Sequence, residues 1–223
     1  MKKSFVKFLV LAGMLGLAAC GGANADLQVF NASPDAPPVD ILIDNQVVVS
    51  DLPPFSFSQY QEVSAGNQNL RVNETGSSRT LVELNPQLTE NQNYTLIVLN
   101  LLNDIEALLL TDDNSIDQPT TAKIRLVNGS PSSPGLDFYF TAPGADISSI
   151  NPLLSDLTFK EVSNYLVIGA GTYEVRATQT GTKTVLIDSG NFVLSPSQVR
   201  TGVTVDSTGG GGPFNIVFLP DKI

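Results

Sequence analysis

Apolar and polar residues alternate along most of the chain, as in residues 69–73, 136–140 and 172–177. Strict alternation places one set of side chains in a core and the other set in water, which is typical of β-strands. Segments rich in Gly, Pro, Asn and Ser separate the alternating runs and predict turns. About seven short strands in roughly 100 residues is the pattern of a β-sandwich. We therefore predict an all-β fold of immunoglobulin-like antiparallel β-sandwiches.

The chain contains an internal repeat. The sequence VFNASPDAPPVD at residues 29–40 returns as LVNGSPSSPGLD at residues 126–137, which is 97 residues later. Tyr60 and the following Ala-Gly turn return 105 residues later, at Tyr165. The difference of eight residues predicts an inserted loop, most simply over residues 141–154. We predict two tandem sandwiches at 27–111 and 123–223, joined by a polar linker at 112–122.

The first residues of the chain have the composition of a secretory signal. Three lysines precede an apolar run of 12 residues, Phe8 to Ala19, which is shorter than the roughly 20 residues of a membrane span. We predict a signal peptide at 1–19 and a tether at 20–26. Residues 17–20, Leu-Ala-Ala-Cys, resemble the lipobox of bacterial lipoproteins. The resemblance implies cleavage before Cys20 and a diacylglycerol on its sulfur.

Composition argues against catalysis. The chain has no His and a single Cys, so it has no catalytic triad, no histidine proton shuttle and no CxxC pair. A carboxylate-dependent hydrolase is the weakest of the alternatives, because nothing in the spacing of the 22 acidic residues selects a pair. We predict a protein that is not an enzyme and needs no cofactor.

Charge and anchoring predict where the protein resides. Cleavage removes three lysines, so 9 basic residues remain against 22 acidic ones, a net charge of −13 that disfavours nucleic acid as a partner. Attachment to a membrane would therefore depend on the lipid on Cys20. Gly21, rather than Asp, follows the cysteine. In Gram-negative lipoproteins this resemblance implies sorting to the outer membrane, so we predict a lipid-anchored location in the cell envelope.

The repeated segment resembles a known family. Residues 31–40, Asn-Ala-Ser-Pro-Asp-Ala-Pro-Pro-Val-Asp, are similar to the ASPDAP repeat of bacterial envelope and secreted proteins, a family catalogued as a domain of unknown function. The resemblance covers both copies and implies tandem immunoglobulin-type sandwiches, often on lipoproteins. It implies no activity and no catalytic residue. In the second copy, Ser132 and Ser133 replace Asp35 and Ala36, which is compatible with a turn.

Two weak candidate sites remain. Asp112, Asp113 and Asp117 could provide oxygens for an irregular calcium site, and the simpler interpretation of these residues is a solvated acidic linker. Tyr139 is out of phase with Phe138 and Phe140, so we expect it to be exposed and available to a glycan. Our leading hypothesis is a lipid-anchored, non-catalytic binding or structural module that acts through contacts with an envelope protein. The alternative is a glycan-binding surface lipoprotein.

Overall fold

The structure is a computed structural model that describes residues 23–116 and 118–220. It consists almost entirely of β-strands. In the first half these are β1 (Asn24–Asn31), β2 (Val39–Ile43), β3 (Gln46–Leu52), β4 (Gln61–Ser64), β5 (Gly66–Asn67), β6 (Leu70–Glu74), β7 (Thr80–Leu84), β8 (Gln87–Leu88), β9 (Asn93–Leu99) and β10 (Glu106–Asp112), with a short 3-10 helix at Leu102–Asp104. In the second half they are β11 (Thr121–Asn128), β12 (Leu136–Thr141), β13 (Leu154–Leu157), β14 (Leu166–Gly169), β15 (Gly171–Gln179), β16 (Val185–Leu194), β17 (Val199–Val205) and β18 (Asn215–Pro220).

Each half contains two four-stranded sheets in the same strand order. The first inner sheet has the order β10-β9-β1-β4, and the second inner sheet has the corresponding order β18-β17-β11-β14. The first outer sheet is β3-β2-β6-β7, and the second outer sheet is β13-β12-β15-β16. Strands β5 and β8 form an additional two-stranded sheet. The all-β sandwich fold predicted from the alternating pattern is confirmed.

The sheets are not purely antiparallel. β1 pairs in parallel with β9, and β11 pairs in parallel with β17, whereas the other strand pairs of the four sheets are antiparallel. The prediction of antiparallel sheets was wrong at these two pairs. Alternation reports which face a side chain occupies, and it carries no information on the direction of the neighbouring strand.

Three apolar layers separate the four sheets. One layer lies between the inner and outer sheets of the first half, around Leu27, Ile41 and Leu96. Its counterpart in the second half includes Leu126 and Phe138. The third layer contains residues of both inner sheets, which therefore face each other at the centre of the molecule. Its buried members are Phe30, Ala32, Ile97, Leu99, Leu110, Val127, Val203, Val205 and Leu219.

Burial on both faces explains the composition of the inner strands. In β9, Leu96 and Val98 face the first sandwich, while Ile97 and Leu99 face the second half. A strand that is covered on both faces carries a continuous apolar run instead of an alternating one. Residues 113–120, which join β10 to β11, therefore connect two halves that share a core. Within the described ranges, no helix is long and apolar enough to cross a membrane.

Candidate functional site

The two halves contact each other through equivalent residues. The Gln28 side-chain amide donates to the Pro220 carbonyl oxygen at 3.2 Å, and the Arg125 guanidinium donates to the Thr111 carbonyl oxygen at 3.0 Å. Gln28 and Arg125 occupy the same position in β1 and β11, and Thr111 and Pro220 correspond in the edge strands β10 and β18. Reciprocal contacts of this kind characterise an isologous interface, in which the same patch of each unit is used.

One end of this contact contains a buried ion pair. Arg125 Nη2 lies 2.6 Å from Asp112 Oδ1, and both side chains are buried. The other carboxylate oxygen of Asp112 accepts hydrogen bonds from the Tyr60 hydroxyl and the Thr95 hydroxyl, each at 2.8 Å. The Arg125 guanidinium also lies 4.8 Å from the centre of the Tyr165 ring. The charges of a buried pair are tolerated when hydrogen bonds satisfy them on all sides, as they do here.

The calcium hypothesis involved Asp112, which belongs to this pair, and its neighbour Asp113. The Asp113 carboxylate accepts a hydrogen bond from Lys123 Nζ at 2.9 Å and another from the Ser115 hydroxyl at 2.6 Å. The Ser115 hydroxyl, followed by Lys123, lowers the pKa of Asp113 to about 2. Asp112 and Asp113 are thus each bound to a cationic side chain, which argues against a shared calcium ion. Asp117 lies outside the described residues.

No group of three or more His, Cys, Asp or Glu side chains suited to a metal occurs in the ranges that the structure describes. The predicted lipidation site, Cys20, and the signal peptide also lie outside these ranges.

Tyr139 is not on the surface, and the expectation that it would be exposed was wrong. Only 2% of the residue is accessible. The Lys183 ammonium lies 4.6 Å from the centre of its ring and donates to its hydroxyl at 3.1 Å. Lys183 also donates to the carbonyl oxygen of Ile150, in the inserted loop between β12 and β13. The insertion thus covers the face of the second outer sheet that alternation assigns to solvent.

The repeated ASPDAP segment forms a hydrogen-bonded turn at the end of the molecule opposite the Arg125–Asp112 ion pair. The Ser33 hydroxyl donates to the Asn100 carbonyl oxygen at 2.7 Å, and Asp35 Oδ1 accepts from the Leu102 amide at 2.7 Å. Both partners lie in the loop between β9 and β10. The Pro34 carbonyl oxygen accepts from the Gly209 amide at 2.8 Å, which ties the first half to the glycine-rich loop of the second. The motif therefore serves as a turn that fixes the loops at this end.

A cleft lies between the halves at this same end. Its volume is about 410 Å³. Two aromatic side chains belong to its lining, Phe55 from the first half and Phe214 from the second. The remaining lining residues come from the ends of β17 and β18 and the loop between them: Val205, Asp206, Ser207, Thr208, Pro213, Asn215 and Val217. We refer to this feature as the interdomain cleft.

The loop that borders the cleft is fixed by hydrogen bonds. The buried Asp206 carboxylate accepts from the Ser130 hydroxyl and, through its second oxygen, from the Gly211 amide at 2.9 Å. The Ser207 hydroxyl donates to the Pro213 carbonyl oxygen at 2.6 Å, which closes the loop on itself. Both Asp206 oxygens are therefore committed to holding the loop. Phe214 is held at the end of this loop, where β18 begins.

The cleft occurs at a position where the two halves differ. Asn215 corresponds to Glu106, because each is the first residue of its strand and pairs with an equivalent residue, Val205 or Leu99. On the Glu106 side, Lys160 Nζ of the second half binds the Glu106 carboxylate at 2.8 Å. Phe55 corresponds to Lys160, because their amides donate to the equivalent carbonyl oxygens of Asn31 and Asn128. On the cleft side, Phe55 therefore takes the place of the lysine and Asn215 that of the glutamate. An ion pair joins the halves on one side, whereas the other side is open.

Sequence reasoning missed Phe55 and Phe214. Phe55 follows two prolines and has a positive φ of 59°, and Phe214 directly follows the glycine-rich loop. Their position beside turns, outside any alternating run, was the available signal. The cleft itself depends on the packing of residues that are 159 positions apart in the chain, which no local pattern reports.

The chain is similar in sequence to one known family. A family model described as "Domain of unknown function (DUF4397)" matches residues 25–139, slightly more than half of the chain. The protein belongs to this family. No curated protein matches it.

Among solved structures, one similar chain is the family CBM26 module CBMbc from Eubacterium rectale Amy13K in complex with maltoheptaose. It is 10% identical, with a TM-score of 0.26, and the match covers 89% of this chain and 98% of that one. Another is described as "Alpha-glucan binding by a streptococcal virulence factor". It is 7% identical, with a TM-score of 0.28 and coverage of 80% and 92%. TM-scores this low establish neither a common ligand nor a common arrangement of the sheets.

Proposed function

We propose that this protein is a lipid-anchored, non-catalytic binding module of the cell envelope, built from two copies of the ASPDAP-type domain. The observation that carries the binding role is the interdomain cleft. Two aromatic side chains, Phe55 and Phe214, belong to its lining, and Phe214 directly follows the loop that the hydrogen bonds of Asp206 fix. A concave surface of a few hundred Å³ with apolar walls and a few polar groups is typical of ligand sites.

The chemistry of the lining supports a role without catalysis. Glycoside hydrolysis needs two carboxylates on opposite sides of the bond that is cleaved. Among the residues that line the cleft, within the part of the chain that is described, Asp206 is the one carboxylate. Both of its oxygens already accept hydrogen bonds. The site is therefore suited to holding a ligand and lacks the second acid that hydrolysis requires.

A glycan is the ligand class that the lining favours. The Phe55 and Phe214 rings provide apolar surface, and Thr208 and Asn215 provide a hydroxyl and an amide group for sugar hydroxyls. The alternative is a protein partner, which would contact the same lining through a side chain inserted into the cleft. The two alternatives differ in whether a free oligosaccharide is sufficient for binding.

The binding role is tested with the mature full-length protein on a glycan array, followed by calorimetry with any oligosaccharide that binds. We expect Phe214→Ala to weaken the affinity by about tenfold or more, because truncating an aromatic anchor commonly costs more than about 1.4 kcal/mol. Val167→Ala, at an exposed position on β14 outside the cleft, is the matched control and should bind normally. Binding that Phe55→Ala and Phe214→Ala leave unchanged would place the ligand elsewhere.

The anchoring role rests on the lipobox at residues 17–20. In a bacterial host supplied with labelled palmitate, we expect the wild-type protein to be labelled and Cys20→Ala to be unlabelled. In a Gram-negative host, the labelled protein should fractionate with the outer membrane. Equal labelling of the two proteins would contradict lipidation at Cys20.

A further inference from the structure

The lining of the interdomain cleft includes a buried negative charge. Asp206 belongs to this lining and is only 2% exposed. Its carboxylate accepts hydrogen bonds from two neutral donors, the Ser130 hydroxyl and the Gly211 amide. None of the ion pairs formed among the described residues includes Asp206. Because a buried charge is most stable beside a charge of opposite sign, Asp206 favours the presence of a cation in the cleft.

The cleft side and the opposite side of the molecule carry the same two functional groups in exchanged positions. Asn100 and Asp206 correspond, because each directly follows the last residue of its strand, β9 or β17. Glu106 and Asn215 correspond as the first residues of the next strands, β10 and β18. At these two positions, each side therefore has one carboxylate and one amide.

On the opposite side, the protein supplies its own cation. Lys160 Nζ lies 2.8 Å from the Glu106 carboxylate, and the Asn100 side-chain amide donates to the same carboxylate at 3.3 Å. On the cleft side, Phe55 takes the place of Lys160, and the two residues have the same left-handed backbone, with φ values of 59° and 69°. The cleft therefore has a carboxylate in its lining and an aromatic side chain at the position of the ammonium.

The rest of the lining favours a cation over an anion. Among the described residues that line the cleft there is no Lys and no Arg. The faces of aromatic rings, such as those of Phe55 and Phe214, attract ammonium groups. The net charge of the chain, −10, also attracts cations over longer distances.

We propose that the interdomain cleft is selective for amino sugars, and that the ammonium group of the glycan takes the place that Lys160 occupies on the opposite side. This inference rests on the proposed glycan site and adds the charge of its ligand. Asp206 sets the preference through its charge, while the sugar ring packs against Phe55 and Phe214. An N-acetylated sugar lacks the positive charge, and a uronic acid carries a negative one. Both are therefore expected to bind more weakly than the free amine.

The preference is measured with pairs of oligosaccharides that differ at one group. Each pair presents a 2-amino sugar either as the free amine or in its N-acetylated form, on α-linked and on β-linked backbones. Calorimetry uses the mature full-length protein at about pH 6, where such amines are protonated and ordinary carboxyl groups are ionised. We expect the free amines to bind about tenfold more tightly. The advantage should shrink in about 1 M salt, which reduces the Debye length to about 3 Å.

Asp206→Asn tests whether the charge of Asp206 sets the preference. The asparagine can keep both contacts, because its oxygen accepts from the Gly211 amide while its amide donates to the Ser130 hydroxyl oxygen. We expect this variant to bind the two members of each pair with similar affinity. Asp44→Asn, in the exposed turn between β2 and β3, removes an equal charge outside the cleft and should retain the preference.

Phe55→Lys tests the correspondence with Lys160. The new ammonium would occupy the position proposed for that of the ligand, so we expect Phe55→Lys to weaken the binding of free-amine glycans more than Phe55→Ala does. For the N-acetylated members of the pairs, the two variants should be similar. Equal losses for the free amines in both variants would contradict the proposed position of the ligand ammonium.

The outcomes separate this inference from the proposed function. If the N-acetylated members bind as tightly as the free amines, or if Asp206→Asn keeps the preference, the selectivity is refuted and the glycan site stands. The same holds if neutral glycans bind through Phe214 and no free-amine glycan binds. If no glycan binds at all, the proposed glycan site fails and this inference fails with it. Binding of a lysine-rich peptide in that case would assign the cleft to a protein partner.

Discussion

At the scale of single residues, the two halves bury different polar side chains at one equivalent position. Arg125 in β11 binds the Asp112 carboxylate, whereas its counterpart in β1, Gln28, is neutral and donates to the Ser58 and Pro220 carbonyl oxygens. An amide can be buried with hydrogen bonds alone, but a guanidinium requires an anion as well. The buried Arg125 guanidinium therefore depends on the Asp112 carboxylate as its anion.

Removing the charge of Asp112 is expected to destabilise the fold strongly. Asp112→Asn keeps the size of the side chain but leaves the buried Arg125 guanidinium without an anion, which typically costs about 3–5 kcal/mol. Glu106→Gln is the matched control, because the Glu106 and Lys160 side chains are 44% and 45% exposed and their pair should contribute at most about 1 kcal/mol. Urea unfolding followed by circular dichroism measures both. Equal destabilisation by the two substitutions would show that the buried Asp112–Arg125 pair contributes no more to stability than an exposed pair.

The Asp113 carboxyl also gives stability a defined pH dependence. Hydrogen bonding by the Ser115 hydroxyl and Lys123 lowers its pKa from 3.8 to about 2, so the folded state favours the charged form. Such a group stabilises the fold fully above the pKa of the unfolded chain, and the contribution disappears as the pH falls through the folded pKa. We expect the stability difference between wild type and Asp113→Asn to shrink between pH 4 and pH 2. A difference that stays constant from pH 6 to pH 2 would contradict this origin.

At the scale of elements, the backbone that follows β11 packs tightly against its neighbouring strand β17 at Gly129. A Cβ atom added there would lie 2.8 Å from the Thr204 carbonyl oxygen and 2.8 Å from a methyl group of Val203. Its counterpart in the first half, Ala32, would be 3.9 Å away across the contact. The backbone of the second half must therefore lack a side chain at this position if the strands are to keep their spacing.

Gly129→Ala is expected to destabilise the protein by about 1–3 kcal/mol, because the new methyl group overlaps a backbone atom that cannot move independently. Gly171→Ala is the matched control. The nearest atoms to a Cβ at Gly171 belong to the Tyr173 ring, at 3.5 Å or more, which is ordinary contact distance. We expect its melting temperature to stay close to that of the wild type. A clear loss of stability in Gly171→Ala equal to that in Gly129→Ala would indicate a general requirement for glycine.

The sequence was sufficient to predict the elements and insufficient to predict their partners. Alternation in 69–73 and 172–177 identified β6 and β15, and the repeat located matching turns in both halves. Two expectations depended on which surfaces meet and were wrong. Tyr139 alternates as an exposed residue does, yet the inserted loop and Lys183 cover it. The pairing of β1 with β9 depends on chain direction, which alternation does not encode.

At the scale of the whole molecule, the central apolar layer makes each half part of the other's core. Phe30 and Ile97 of the first half pack in the same cluster as Val127 and Val203 of the second. Separating the halves would expose these side chains to water, at a cost of roughly 1.5–3 kcal/mol for each large one. The two sandwiches are therefore expected to behave as one cooperative unit, which would also keep the two walls of the interdomain cleft in register.

This coupling predicts how a destabilising substitution in one half affects the stability of the other. Phe138→Ala empties a fully buried site in the second sandwich, away from the shared layer, and is expected to cost about 3–5 kcal/mol. If the halves unfold together, hydrogen exchange should accelerate by a similar factor in the amides of β9 and in those of β17, because both then exchange through global unfolding. Val193→Ala, which removes an exposed side chain from the same outer sheet, is the control and should leave both rates unchanged. Faster exchange confined to β11–β18, with β9 protected as in the wild type, would mean that the first sandwich survives alone and that the central layer does not couple the halves.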